Sequence, residues 1–502
     1  AVAARSSAVR LFVERASAAV PGFALDSGNA AAVSAVVRRL DGIPLALELV
    51  APRLRGLSAD RLVERLDDRF TLPSAGGRGR PARQRTLQAM IDWSWEPLTE
   101  DERTVLRRLA AHPDGCAASA AEAVCADPGL PGPRVLDVVA RLVDRSLVVR
   151  EGERFRLLES VAAYCAERLA EAGELAMVCA RAMEYYLGLA ERADAELRGP
   201  GQCHWLERLD AETVNLRRVL DTALQTADAE AALRLVNAMA WYWFLRGRLA
   251  EARRSLHAAL ALDGGPPDAR AAARGWLTGV ELRIRPVGEV EPLTGVEDPA
   301  LRARLLGFVG SGLYSAGRHA EGERLIAQSL AGSRANGDVW GEAAALAERA
   351  GHALAGDRPE AARADAERAA ARFRSLGDAW GTLRATRPLA LLADLDGDHT
   401  TALRLHRETL RVAEDLALWT EVADTLTWLG RTTLRTGDLR EAERLYERAL
   451  CVSSERSYTP GEIRAEIGLS RTARRRGDVT TAETHLCRAL SKSRTLSTAE
   501  HP

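Results

Sequence analysis

Cysteine, lysine and long apolar runs are what this sequence has little of, and each shortage removes a class of function. The seven cysteines (Cys116, Cys125, Cys165, Cys179, Cys203, Cys451 and Cys487) are scattered and form no Cys-x-x-Cys pair. Zinc ribbons and dithiol redox motifs are therefore excluded, and an odd, dispersed set fits a reducing, cytoplasmic setting. Cys203 stands beside His204, but adjacent side chains diverge, so packing explains the pair better than ligation. No stretch of about 18 uncharged apolar residues occurs, so no transmembrane helix is expected; no signal peptide is visible either. The formal charge is −1, which leaves no global basic field for nucleic acid. The His residues are few and scattered, with no Gly-x-Ser-x-Gly elbow and no His-Glu-x-x-His helix. Gly-x-x-x-x-Gly-Lys-[Ser/Thr] is also missing, so no loop of backbone amides and lysine can cradle a phosphate. The chain itself is expected not to be an enzyme, with no catalytic residue, metal or cofactor of its own.

What is present is 502 residues, 47% apolar and 28% charged, the balance of a soluble globular protein of about three domains. Ala and Arg dominate, a bias that suggests a GC-rich genome. The first residue is Ala, and the opening segment reads as the middle of something longer. Residues 1–72 read as helical, with apolar residues at helical spacing in Val9, Leu11, Phe12 and again in Val33, Val36, Val37, Leu40. Residues 73–85, rich in Gly, Pro and Arg, read as a linker. Its Arg78, Arg80, Arg83 and Arg85 have no interleaved aromatics and suit a solvated segment better than a nucleic-acid site. Residues 86–170 form a second unit. Thr99 and Glu102 make a capping box. Helices follow at Ala118–Cys125 and from about Pro133 to Ser146, the latter with Leu136, Val139, Leu142 and Val143 on one face. Apolar runs flanking Glu151-Gly152-Glu153 then predict a β-hairpin. Three helices and a hairpin outline a winged helix. Its third helix mixes Asp137 and Asp144 with Arg134, Arg141 and Arg145, which disfavours phosphate contact.

From 171 to 502 the pattern is helical and repeating. Gly317, Gly356, Gly397, Gly437 and Gly477 are spaced by 39, 41, 40 and 40 residues, the signature of stacked helical hairpins. Five residues after each, and after Gly247, stands a small residue: Ala252, Gly322, Ala361, Ala402, Ala442 and Ala482. Glycine makes the turn, and the small residue lets the second helix approach the first. No hairpin buries its own apolar face, so each must stack on the next. In the repeat from Trp428, the residues Leu429, Gly430, Ala442, Tyr446 and Ala449 fall on the TPR pattern, with helices longer than those of the usual 34-residue unit. The expected fold is mainly α: a helical subdomain and a winged-helix domain followed by a TPR-type α-solenoid.

The run from Arg38 through Gly42-Ile43-Pro44-Leu45-Ala46-Leu47 to Leu49 resembles the "GLPLAL" segment of NB-ARC-type STAND ATPases. Gln84 to Leu87, Asp92-Trp93-Ser94-Trp95, Leu142 to Val148 and Phe155 to Val161, continuing through Glu167-Arg168-Leu169, resemble the following winged helix in actinobacterial members. Together they resemble AfsR-like transcriptional regulators of the SARP class, closely over about 1–260 and by architecture beyond. The resemblance implies that residues 1–72 are the ARC-like helical subdomain of an NB-ARC module. It also implies that an ATPase using ATP or ADP with Mg, and a DNA-binding and activation domain, lie upstream in a longer parent. There, Gly42 and Pro44 would lie on the adenine side. The family's "MHD" position falls on Leu157-Leu158-Glu159, so the usual phosphate-contacting His is missing.

The reading that follows is a regulatory and sensor portion. The array binds a protein partner or small-molecule signal, and the winged helix relays the state to the upstream ATPase and DNA-binding domains. DNA and RNA polymerase would be reached only through the upstream region, and the output would be transcription, by analogy that of a secondary-metabolite (antibiotic biosynthesis) cluster. The alternatives are a free-standing TPR scaffold and the sensor part of a STAND signalling or immune effector. Leu391-Leu392-Ala393-Asp394 looks like a Walker B strand but sits inside the array. Arg471, Arg474, Arg475 and Arg476 read as an exposed helical face. Trp241-Tyr242-Trp243-Phe244 reads as core, since consecutive helical positions diverge. Tyr314, Arg384, Thr427 and Arg431, on first helices, are expected to line the concave groove.

Overall fold

The computed structural model describes residues 6–26, 28–40, 42–71, 82–284 and 288–498. By contacts it divides into two units: 1–186 with 214–219, and 187–213 with 220–502.

In the first unit, apolar helical periodicity builds one core. The helices Ser7–Ala19, Ala30–Arg39, Pro44–Val50, Ala59–Thr71 and Ala82–Trp95 surround it, with Phe12, Val33, Val36, Leu40, Leu47, Leu62, Leu66 and Met90 fully buried. Of the expected linker, 73–81 lie outside the described residues, Arg78 and Arg80 among them. Arg83 and Arg85 belong to the helix that starts at Ala82 rather than to a loop.

The rest of this unit begins at the capping box. Thr99 Oγ1 accepts from the Glu102 amide at 3.3 Å, and the Thr99 amide donates to Glu102 Oε2 at 2.9 Å. Helices Glu100–Leu109, Ala118–Cys125 and Gly132–Asp144 are followed by the hairpin β2 (Val149–Glu151) and β3 (Arg154–Arg156). Strand β1 (Cys116–Ala117), not expected from the sequence, pairs antiparallel with β3 to give the order β1-β3-β2. Gly115, at φ +70°, makes that pairing possible, since a Cβ there would meet the Phe155 carbonyl at 2.5 Å. In helix Gly132–Asp144 the buried stripe is Val135, Val138, Val139 and Leu142. Leu136 and Val143, expected on that face, are only half-buried.

Two ionic clusters fix this unit. Arg141 and Arg145 reach the buried Glu102 at 3.3 and 3.6 Å. Arg107 and Arg108 both grip Glu174 at 3.0 Å. Burial alone would raise the Glu174 carboxyl, but those guanidinium groups hold it at about 2. His112 is buried with Nδ1 2.8 Å from the Tyr186 hydroxyl, and burial, helped by the Arg154 charge, pushes it down to about 3.

In the second unit, helical hairpins stack in sequence. First helices are Ala229–Leu245, Pro299–Ser315, Val339–Ala355, Ala379–Leu395, Trp419–Thr436 and Thr459–Arg476. Their second helices are Leu249–Ala261, His319–Ala335, Pro359–Leu376, His399–Asp415, Leu439–Glu455 and Val479–Thr498. Pro267–Ile284 packs as a first helix, but residues 288–298 after it form no helix. No strand occurs in this unit among the described residues.

The turns are more regular than the glycines suggest. Left-handed residues fall at Gly317, Asp357, Gly397, Gly437 and Gly477, and midway between them at Gly337, Gly377, Ala417 and Ser457, so one recurs every 20 residues. Gly356 itself has φ −88°; its neighbour Asp357 makes the turn at φ +54°. The register therefore shifts by one. Ala362 is the buried small residue of that hairpin, while Ala361 is exposed. Elsewhere the expected positions hold, with Ala252, Ala402 and Ala442 fully buried. The residue after many of these turns is an Asp that caps the next helix: Asp338, Asp378, Asp398 and Asp438 accept from the amide three residues on.

Ala442→Leu should cost about 1–3 kcal/mol by overpacking. Gly437→Ala, where nothing lies within 4 Å of the added Cβ, should cost about 1–2 kcal/mol through the left-handed backbone alone. Urea unfolding read by tryptophan fluorescence checks both. For His112, protonation favours the unfolded chain, because the folded pKa lies below the unfolded one. Its contribution to the first unit is full above about pH 6.5 and lost as pH falls toward 3. His112→Gln should flatten that acid dependence in melts followed by circular dichroism.

Candidate functional site

The first helices carry their inward faces around a lumen of about 1310 Å³. The array closes on itself to make it. The Arg246 guanidinium donates to the Leu416 and Ala417 carbonyls at 2.5 and 3.2 Å while held by Asp210 at 2.5 Å. Gln202 accepts from the Trp380 amide at 2.9 Å and donates to the Leu197 carbonyl at 2.8 Å. A Cβ on Gly377 would meet Pro200 at 3.0 Å, so the two ends of the ring are in direct contact.

One side of the lumen is aromatic. Trp241 is its hub, edge-on to Trp380 (4.9 Å between centroids) and Trp340 (5.4 Å) and stacked on Phe244 (5.0 Å). Trp276 and Phe308 join at 5.0 Å. The sequence reading of Trp241 to Phe244 as core holds for Trp241, Tyr242 and Trp243, which are buried, while Phe244 is half-buried. Trp241 and Phe244, three positions apart, face the lumen. Arginines lie on these rings: Arg283 over Phe308 at 4.0 Å and Arg198 over Trp241 at 5.2 Å, with Arg431 over Trp428 at 4.5 Å further round.

Charge on the wall is layered. Arg384 binds Glu348 at 2.7 Å and reaches Glu421 at 3.6 Å. Arg464 holds Asp424, which the Tyr458 hydroxyl also meets at 3.2 Å. Burial would raise the Glu348 carboxyl, yet the Arg384 and Arg283 charges and the Arg384 hydrogen bond keep it below the usual range. Arg283 donates to the Gly279 and Phe308 carbonyls at 2.5 and 3.1 Å. Its enclosure lowers it to about 10. Tyr314 stacks on His352 at 4.1 Å, and burial lowers that imidazole.

Of the four residues expected on the groove, Tyr314, Arg384 and Arg431 line it. Thr427 does not: its hydroxyl turns back onto the Ala423 carbonyl at 3.0 Å. Asp394 is fully buried in a helix, where His399, Arg435 and Arg431 bind it at 3.0, 3.1 and 3.5 Å. It is a structural ion-pair centre and not a strand-end metal ligand. Arg471, Arg474, Arg475 and Arg476 are exposed. Cys203 is exposed and reaches only Glu207 and the Asp415 carbonyl. Among the described residues, no three His, Cys, Asp or Glu side chains gather to hold a metal, and no helix is long and apolar enough to cross a membrane.

Gly42, at φ +64°, turns the chain into the helix Pro44–Val50, with Pro44 exposed at its first position. An exposed proline can offer an apolar surface to an adenine ring but supplies nothing for phosphates.

The tetratricopeptide repeat family pattern matches residues 421–494. Over 430 residues the chain is 35% identical to proteins of Mycobacterium tuberculosis and Mycobacterium bovis named "Putative HTH-type transcriptional regulator", covering 81% of this chain and 48% of theirs. The chain thus spans about half the length of the curated relatives it matches. Among solved structures, a STAND protein with a tetratricopeptide repeat sensor from Pyrococcus horikoshii aligns at 14% identity and TM-score 0.41, covering 90% of this chain and 73% of that one. A Rap protein complexed with Competence and Sporulation Factor aligns at 10% identity and TM-score 0.40, covering 62% and 99%.

The lumen's ion pairs give a stability test. Arg384→Ala strands Glu348 and Glu421. With side-chain exposures of 26% and 20% for Arg384 and Glu348, the cost should be about 2–3 kcal/mol, below that of a fully buried pair. Arg387→Ala should cost under about 1 kcal/mol, since its Asp424 partner lies at 3.9 Å and keeps Arg464. Urea unfolding of the two variants checks the order.

Proposed function

We propose that this chain is the signal-receiving part of a longer STAND-type transcriptional regulator of the AfsR/SARP kind. The lumen of the array takes the signal, and residues 86–170 work as a winged helix that relays the lumen's state to an upstream ATPase and a DNA-binding domain. The observation that carries this reading is the lumen lined by the first helices, with tryptophan and arginine side chains turned inward. A scaffold that only spaces partners would have no need for a cavity lined in this way. The similarity to proteins named as transcriptional regulators supports the output, and the halved coverage supports a longer parent.

DNA is met upstream and not by the 86–170 region. Arg141 and Arg145, the cations a third helix would present to phosphates, are engaged with Glu102. ATP or ADP with Mg belongs to the upstream module, with Gly42 and Pro44 on its adenine side.

The test is a transcription reporter driven by the longer regulator. Arg387→Ala lies on the lumen wall and spares the strong ion pairs. It should leave the melting temperature unchanged and reduce the signal-dependent increase in transcription at least fivefold. An unchanged response from a normally folded variant would remove the sensing role from the lumen.

A further inference from the structure

The lumen's spare charge is positive, and it stands beside flat apolar rings. Its well-enclosed carboxylates are already held: Glu348 and Glu421 by Arg384, and Asp424 by Arg464. Several wall arginines are neutralised from behind, Arg198 by Asp194, Arg246 by Asp210, Arg304 by Asp338 and Arg431 by Asp394. Arg283 is different. Its hydrogen bonds go to backbone carbonyls and to Ser311, and no carboxylate lies within 4 Å of it among the described residues. Two neutral carbonyls and a hydroxyl take its donors; the nearest opposite charge is Glu348, which is hydrogen-bonded to Arg384 and so is shared between two arginines. Arg254 and Arg456, at the same lumen, are solvent-exposed and add only to its positive rim. A half-buried cation that must share its counter-charge with a second arginine is under-neutralised, and a bound anion relieves that cost.

The surfaces next to Arg283 are rings. Phe244 and Phe308 flank its guanidinium at 5.2 and 4.0 Å, and Trp276 and Trp241 continue the same wall. Phe244 is only half-buried and lines the lumen. Flat faces reward a flat partner, by offset stacking as well as by area removed from water. An arginine on the edge of such a wall holds the anionic substituent of the same molecule.

We propose that the lumen binds a small organic anion, a planar apolar ring system bearing one carboxylate, sulfonate or phosphate group, with the ring against Phe244 and Phe308 and the anion on Arg283. This rests on the lumen being the signal site, and it names the chemistry of the signal.

The matched probes are 1-anilinonaphthalene-8-sulfonate and its uncharged counterpart N-phenyl-1-naphthylamine, titrated calorimetrically and by fluorescence against the whole chain. The sulfonate should bind one per chain, at least tenfold tighter than the neutral compound, and should weaken several-fold between 50 and 500 mM salt (about a threefold change in Debye length). Arg283→Met should lower sulfonate affinity at least tenfold and leave the neutral probe unaffected, and Arg283→Lys should restore most of the loss. The salt series on the unaltered protein decides the matter should Arg283→Met fail to fold. Equal binding of both probes, or salt-insensitive sulfonate binding, would overturn the anionic assignment. Displacement of the sulfonate by an acidic hexapeptide that itself binds more tightly would replace the small molecule with a peptide. Failure of both probes to bind folded protein would close the lumen to this class altogether. These outcomes are independent of transcription. Sulfonate binding by these rules, with reporter responses unaltered by lumen variants, would keep the ligand class and remove the sensing role.

Discussion

From Gly317 to Gly477 every twentieth residue of the array turns through a left-handed conformation, and the stacking of those hairpins follows from that interval. A fixed helix length between fixed turns makes each hairpin nearly the copy of the last. Identical steps then accumulate into a curve instead of averaging out. Where glycine is absent the same conformation is forced on Asp357, Ala417 and Ser457. The interval therefore outranks local backbone preference, at about 1–2 kcal/mol for each such residue. The curve ends in contact: Arg246 and Gln202 bind the backbone of a hairpin some 170 residues on, and the groove becomes a lumen.

Closure changes what the inward side chains are. On an open solenoid, Trp241, Trp380 and Arg283 would be groove residues in water. Inside a ring they face one another across a shared space, partly withdrawn from water, in which ion pairs strengthen. The pairing of Arg384 with Glu348 and Glu421, and of Arg464 with Asp424, is what keeps that space polar enough to hold water and structured enough to hold a ligand.

The sequence showed the helical class, the capping box, the hairpin at Gly152 and the forty-residue period, because each has a local signature in glycine, in a cap or in apolar spacing. It misled where one residue can stand in for another. Gly356 drew attention away from Asp357, since only the backbone angle tells which of two adjacent residues turns, and Ala361 was chosen over Ala362 in consequence. Strand β1 escaped because two residues have no periodicity. Thr427 was placed on the groove by helical spacing, but a threonine can turn its hydroxyl onto its own helix, and only coordinates reveal that. Ring closure was illegible altogether. It depends on the small rotation added at each repeat, a sum no single motif carries, so which aromatic side chains border the lumen could not be read in advance.

The closed ring is tested most directly by the contact between Cys203 and the helix His399–Asp415, where Cys203 Sγ lies 3.8 Å from the Asp415 carbonyl. In Asp415→Cys protein under mild oxidation, peptide mapping should find a disulfide between positions 203 and 415 as the dominant new linkage, formed at a rate independent of protein concentration. Oxidation that leaves 203 and 415 unlinked while the exposed Cys451 and Cys487 react would show an open array, and would contradict the account.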